Sequence, residues 1–310
     1  MDLVIWIVVL LASLTVLIKS SDYFTDCAEK IGLFLGIPAF IVGVTIVAFG
    51  TSLPELISSV LAVVRDTSEI VVGNVVGSNI TNIFLILGLT AIVGQRLKVT
   101  YEITHVDLPL MVGAAFLVAV TVWDGAFTLP DALLCLAGIV IYLRYTMAAR
   151  REAEDVETEE GKLDLKTLMI LVASGAFIYL GANYTVESII KLSEILDIGE
   201  EIIAVSAVAL GTSLPELTVG ITAARKGKPE IAIGNVLGSN IFNSFAVMGI
   251  PALFGTLTIP NSILTASLPI MLIATLLFFF VAQEKVVTKW EGWLLVIFYV
   301  FFIGKIFDLF

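Results

Sequence analysis

The sequence predicts an all-α membrane protein, with ten transmembrane helices arranged as two inverted five-helix repeats. Three observations carry this prediction. The chain of 310 residues is 58% hydrophobic, with a mean hydropathy of +1.04. That is too apolar to cover a water-exposed surface, since soluble domains run at about 45–50%. Its apolar residues fall in blocks of bilayer-crossing length. One stretch of the first half also recurs in the second.

The blocks, taken in order, lie at about 2–18, 33–64, 70–94, 106–123, 131–148, 167–182, 202–224, 230–254, 262–282 and 290–307. A helix needs roughly 17–25 apolar residues to cross the hydrocarbon core. The first block reads as a retained span. Asp2 precedes it and the first positive charge, Lys19, follows it, the reverse of a signal peptide. The second block is long and contains a break. The first repeat fills residues 1–149, the polar stretch 150–166 (RREAEDVETEEGKLDLK) is a short linker, and the second repeat fills 167–310.

The net charge of −11 excludes a nucleic-acid partner, which needs a basic face. Much of the acid lies in the linker and around Glu187, Glu194, Asp197, Glu200 and Glu201, read as solvated loops and helix ends. Cys27 and Cys135 fit no metal pattern and no disulfide pair, and read as buried thiols. His105, the single histidine, reads as interfacial. The Asn-x-Thr sequons at Asn79 and Asn183 read as chance.

Positive residues set membrane orientation. With the N-terminus outside, the inner side holds fourteen of the seventeen Lys and Arg, and the outer side only Arg65, Lys191 and Lys305. A bias of that size supports the span count, because removing one span would scramble it. Both termini are therefore expected outside and the 150–166 linker in the cytoplasm.

Residues 48–84 and 209–245 align without a gap at an offset of 161, with 20 of 37 positions identical. Five spans separate equivalent points, so the second copy runs through the membrane upside down. Inverted repeats mark secondary transporters, whose sites lie near the midplane on irregular helices.

Each copy places Gly-Thr-Ser-Leu-Pro-Glu in an apolar segment, at Gly50–Glu55 and Gly211–Glu216. Pro54 and Pro215 lack a backbone N–H and leave the carbonyls four residues earlier without a helical partner. In a bilayer something else must satisfy such groups. The hydroxyls of Thr51, Ser52, Thr212 and Ser213 add further oxygens. Glu55 and Glu216 are carboxylates at membrane depth, which mark function by default. No basic residue lies well inside a span to pair with them, so a cation or protons must sit between them.

The second segment of each copy runs from Gly73 to Asn82 and from Gly234 to Asn243. GxxxG spacing explains the glycines, which allow close helix approach. It does not explain Ser78 and Asn82, or Ser239 and Asn243. Four-residue spacing puts each pair on one helix face, where they read as neutral ligands facing the glutamates. The pooled donors are hard oxygens in an adaptable cage, which suits Ca²⁺ and Na⁺ rather than zinc or copper. Two carboxylates match one Ca²⁺ or several Na⁺, the duality that exchange needs.

At these residues the chain resembles the cation/calcium antiporter superfamily, specifically its sodium/calcium exchanger branch of compact prokaryotic and archaeal type. The paired GTSLPEL and GNVxGSN motifs are similar to that family's alpha repeats. The resemblance implies Glu55 and Glu216 as the main calcium ligands, joined by carbonyls at Thr51 and Thr212. It implies Ala48, Ser52, Ser78, Ala209, Ser213 and Ser239 completing sodium sites, with Asn82 and Asn243 in the centre. The first and sixth spans would slide across the other eight. Some relatives, potassium-dependent ones among them, carry Asp where this chain has Asn243, so no potassium requirement is expected. No cofactor is implied beyond the transported Ca²⁺ and Na⁺, and a monomer in the lipid bilayer suffices.

The rival reading is a proton/calcium exchanger, since neighbouring carboxylates can take up protons instead of sodium. Both copies keep the GTSLPE pattern, from which the proton-coupled branch departs. A channel would need a continuous pore. An intramembrane enzyme would need a Ser/Lys or Ser/His pair, and the motifs hold none.

Overall fold

A computed structural model describes residues 2–152, 164–195 and 213–306. In chain order its helices are α1 (Asp2–Phe34), α2 (Ala39–Val64), α3 (Glu69–Gly94), α4 (Asp107–Thr121), α5 (Leu129–Glu152), α6 (Leu165–Ile195), α7 (Leu214–Arg225), α8 (Pro229–Leu253), α9 (Ile263–Ala282) and α10 (Lys289–Ile306). Seven of them, α1, α2, α3, α5, α6, α8 and α9, are long and apolar enough to cross a membrane, and α4 is a shorter apolar helix. The chain is a helical, multi-pass membrane protein. Of the expected elements, most of the linker, the start of the seventh span, Ala209 and Thr212 lie outside the described residues.

Two helices are longer than the apolar blocks predict. The first block ends near residue 18, yet α1 continues to Phe34; the sixth ends near 182, yet α6 continues to Ile195. Hydropathy falls at Lys19 because polar side chains begin, but the helix runs on through Gly32 and stops only before Gly36 (φ 61°) and Pro38. The polar residues of α1 also gain partners. Lys226 Nζ lies 2.8 Å from Asp26 Oδ2, and Lys228 Nζ lies 2.6 Å from Glu29 Oε2, which ties α1 to the α7–α8 turn. That turn needs Gly227 at φ 70°, where a side chain would be strained.

The second block does contain a break, at Leu35–Pro38 between α1 and α2. Helical geometry continues through Pro54, and the irregularity within α2 is a π-helical turn about two turns earlier, at Gly43–Val47. Further π-helical turns open at Asn82 and at Asn243, equivalent positions of the repeated motif. π turns inside α-helices commonly mark functional sites.

α1 and α6 pack along each other, with Thr185 Oγ1 2.9 Å from Ser13 Oγ. Both expose apolar residues on their outer faces, whereas α8 is buried along nearly its whole length. A Cβ on Gly238 would stand 2.5 Å from Val44 O, and one on Gly234 2.6 Å from Phe40 O. Here α8 and α2 touch backbone to backbone, and only glycine permits it.

Two short antiparallel strand pairs join the halves: β1 (Arg96–Lys98) with β4 (Val286–Thr288), and β2 (Ala126–Phe127) with β3 (Leu257–Thr258). Shifting β1 by the repeat offset of 161 lands on β3, and shifting β2 lands on β4. Each pair is the exchanged copy of the other.

Candidate ion-binding site

The motif residues sit on four helices, α2 and α3 from the first copy and α7 and α8 from the second. On α2, Thr51, Ser52 and Glu55 are all buried, Glu55 at 1% exposure. On α7, Ser213 precedes the first turn and Glu216 lies within it, at 1% exposure. A carboxylate there meets the positive end of the helix dipole, which favours its anion.

The two copies interlock through side chains. Ser52 Oγ lies 3.1 Å from Glu216 Oε1 and 3.1 Å from Ser239 Oγ. With one proton, the Ser52 hydroxyl donates to the carboxylate and accepts from Ser239. Thr51 Oγ1 shares its one proton between Asn235 Oδ1 and Val47 O, each at 3.2 Å. A first-copy helix therefore reaches second-copy residues on both α7 and α8. Ala48 is buried one turn earlier, against the Gly238 backbone of α8.

Ser78 and Asn82 on α3 and Ser239 and Asn243 on α8 are buried, as is Ser213. Several buried atoms have no hydrogen-bond partner among the described residues: Glu216 Oε2, Asn82 Oδ1, and both polar atoms of the Asn243 amide. An unsatisfied buried polar group costs about 1–3 kcal/mol, and a charged one more. Glu216 forms no ion pair among the described residues. A buried carboxylate oxygen beside hydroxyls and amides, unneutralised by Lys or Arg, is chemistry suited to a hard cation.

The structure adds two residues that the sequence reading passed over. Asn74 Nδ2 donates to Glu55 O at 3.3 Å, and Asn235 Nδ2 donates to Glu216 O at 3.4 Å. The signal was present, since both asparagines follow the first glycine of the repeated motif. Assigning that stretch to helix contact hid it. Cys27 and Cys135 are both buried, as is Asn79 of the first sequon, while the side chain of His105 is 82% exposed.

Residues 5–148 and 166–307 match the model of the sodium/calcium exchanger protein family. The chain belongs to the sodium/calcium exchanger family. Within it, the chain is similar to sodium/calcium exchanger MaX1 of Methanosarcina acetivorans, at 34% identity over 96% of this chain and 97% of that protein. Inner membrane protein YrbG of Escherichia coli strain K12 is 33% identical over 87% of this chain and 86% of its own length. Among solved structures, the sodium-calcium exchanger NCX_Mj soaked with zero Na⁺ and Ca²⁺ matches at a TM-score of 0.85 and 29% identity, over 98% of this chain and 99% of that one. The same exchanger soaked with 2.5 mM Na⁺ and 10 mM Sr²⁺ matches at 0.84 and 30% identity, over 97% and 99%. A single exchanger-family fold thus spans both copies of the motif.

Proposed function

We propose that this chain is an antiporter that exchanges Ca²⁺ for Na⁺ by alternating access, through a shared site centred on Glu55 and Glu216. The observation that carries the reading is the Ser52–Glu216 hydrogen bond of 3.1 Å between the two motif copies, with Glu216 Oε2 buried and without a hydrogen-bond partner among the described residues. Thr51, Ser52, Ser78, Asn82, Ser213, Ser239 and Asn243 supply neutral oxygens, together with Thr212 and the carbonyls of Ala48 and Ala209. Family membership and the NCX_Mj likeness support the choice of ions.

The mechanism follows from charge. Two buried carboxylates of like charge repel each other and oppose movement of the empty site across the membrane. One divalent ion, or several monovalent ions, neutralises them and lets the site change its exposure. Either load suffices, and moving the site empty costs several kcal/mol of uncompensated charge. Coupling arises because crossing is cheap only when the site is loaded.

In this reading α4, α7 and α10 complete ten spans, the two halves 1–149 and 167–310 are inverted repeats, and the 150–166 linker is cytoplasmic with both termini outside. The exchanged strand pairing supports the inversion, since a two-fold relation between halves swaps β1–β4 with β3–β2. α1 and α6, which pack chiefly on each other, are the elements free to slide.

The test is uptake of radioactive calcium into liposomes loaded with sodium, with pH clamped and voltage held by an ionophore. Uptake that requires an outward sodium gradient is the expected result. Uptake that ignores sodium and follows an imposed pH gradient would overturn sodium coupling. With the sodium gradient fixed, adding potassium is expected to leave the rate unchanged.

A further inference from the structure

Asn74 on α3 and Asn235 on α8 are equivalent at the repeat offset of 161, and each reaches the main-chain carbonyl of the glutamate nineteen residues before it. A helix carbonyl normally accepts one bond, from the N–H four residues on. The asparagine adds a side-chain donor to that carbonyl and pins the turn that carries the carboxylate, at Glu55 alongside Ser58 Oγ, which lies 3.0 Å from the same oxygen. Asn74 also donates to Ser59 Oγ at 3.0 Å, within the first half. Asn235 does more. Its Nδ2 donates to Glu216 O at 3.4 Å, while its Oδ1 accepts from Thr51 Oγ1 at 3.2 Å. At 0% exposure this single amide ties the glutamate turn of one half to the threonine turn of the other.

We infer that Asn235, with Asn74 as its counterpart, is a positioning residue that holds the two glutamate-bearing turns in one relative geometry, and that this geometry sets the preference for a divalent over a monovalent cation. The inference rests on the exchange reading above. A divalent ion that draws charge from both carboxylates needs oxygens of each within about 2.3–2.6 Å at once. It therefore feels any shift of one turn against the other. A monovalent ion held by one carboxylate and the hydroxyls of the same turn moves with that turn and feels the shift less. Loosening the tie weakens calcium binding more than sodium binding.

The test uses the full chain with Asn235→Leu, which keeps the size and removes both bonds; Asn235→Gln, which keeps the amide; and Asn74→Ala at the half-buried counterpart. Half-saturating calcium and sodium are measured by exchange in liposomes. Equilibrium calcium binding to purified protein, with sodium as competitor, is measured alongside. Losing one or two such bonds is expected to raise half-saturating calcium about tenfold in Asn235→Leu, with sodium shifted by less than about threefold. Asn74→Ala is expected to show a smaller shift in the same sense, and Asn235→Gln to recover part of the loss. Calcium and sodium constants that move together, or a lower maximal rate with both constants unchanged, would overturn the inference. Should Asn235→Leu fail to fold, unchanged calcium affinity in Asn74→Ala overturns it equally. Wild-type protein without sodium-dependent uptake would instead overturn the exchange reading, and the binding measurements would still judge the positioning role.

Discussion

Glu55 and Glu216 sit at 1% exposure inside a membrane protein, a placement costly for a carboxylate and one that the proposed exchange mechanism explains. Replacing either with Gln removes one of the two charges and keeps the shape. Calcium uptake should fall to background in both variants, while size-exclusion profiles stay those of the parent. Near-normal exchange by the pair would remove both residues from the mechanism. Ser52→Ala takes the donor from Glu216 Oε1. Hydrogen bonds to charged groups are worth about 1.5–3 kcal/mol, so half-saturating sodium should rise by roughly an order of magnitude. The burial of the glutamates, serines and central asparagines was legible in the sequence because they recur at a fixed offset within apolar segments, where chance polar residues are costly. Their partners were not. No spacing rule says that Ser52 would meet Glu216 of the other copy rather than Glu55 of its own. Asn74 and Asn235 were hidden beside glycines that already had an explanation.

Among the elements, the contact of α2 with α8 depends on Gly234 and Gly238. Gly238→Ala places a methyl 2.5 Å from Val44 O, a backbone atom that cannot step aside. Overpacking of this kind costs about 1–3 kcal/mol. Because the displaced turn leads into Ala48, Thr51 and Ser52, transport should drop along with the melting temperature. The GxxxG spacing foretold close approach in both copies, and it holds for Gly234 and Gly238 only: a Cβ on Gly77 would meet nothing within 4 Å, and one on Gly73 only Ile263 at 3.9 Å. The spacing could not foretell the length of α1, where apolar periodicity stops at Lys19 and the helix does not. The continued turns carry Asp22, Asp26 and Glu29, which form long-range ion pairs with Lys226 and Lys228. These pairs are partly exposed, so each is worth about 0–1 kcal/mol and weakens with salt. Asp26→Asn, which disturbs both lysines, should lower the melting temperature slightly at low ionic strength and not measurably at high salt.

For the whole molecule, the two halves are joined outside their helices by the strand pairs and by Glu102, which bonds Lys285 next to β4. The Lys285 hydrogen bond, helped by Thr104, holds the Glu102 carboxyl down at about 2, from an ordinary 4.5. A depressed carboxylate contributes stability that is fully present above its unfolded value and is lost as pH falls through the folded one. Unfolding temperature in detergent should therefore decline between about pH 4.5 and 2, and Glu102→Gln should remove that part of the decline. The helical membrane class was legible from composition alone. The joining strands were not, because two- and three-residue strands are too short for any alternation to show.

The reciprocal strand pairing has a consequence for how such a molecule can be divided. Each half carries one member of both clasps, so a half by itself presents two complementary edges rather than two orphaned ones. A second half supplies what the first lacks, whether or not a peptide bond joins them. Residues 1–149 and 167–310 produced as separate polypeptides should accordingly find each other in one membrane and recover transport, which co-purification of the untagged piece would register. Recovery of transport from the two pieces would make the chain behave as two subunits written as one gene product.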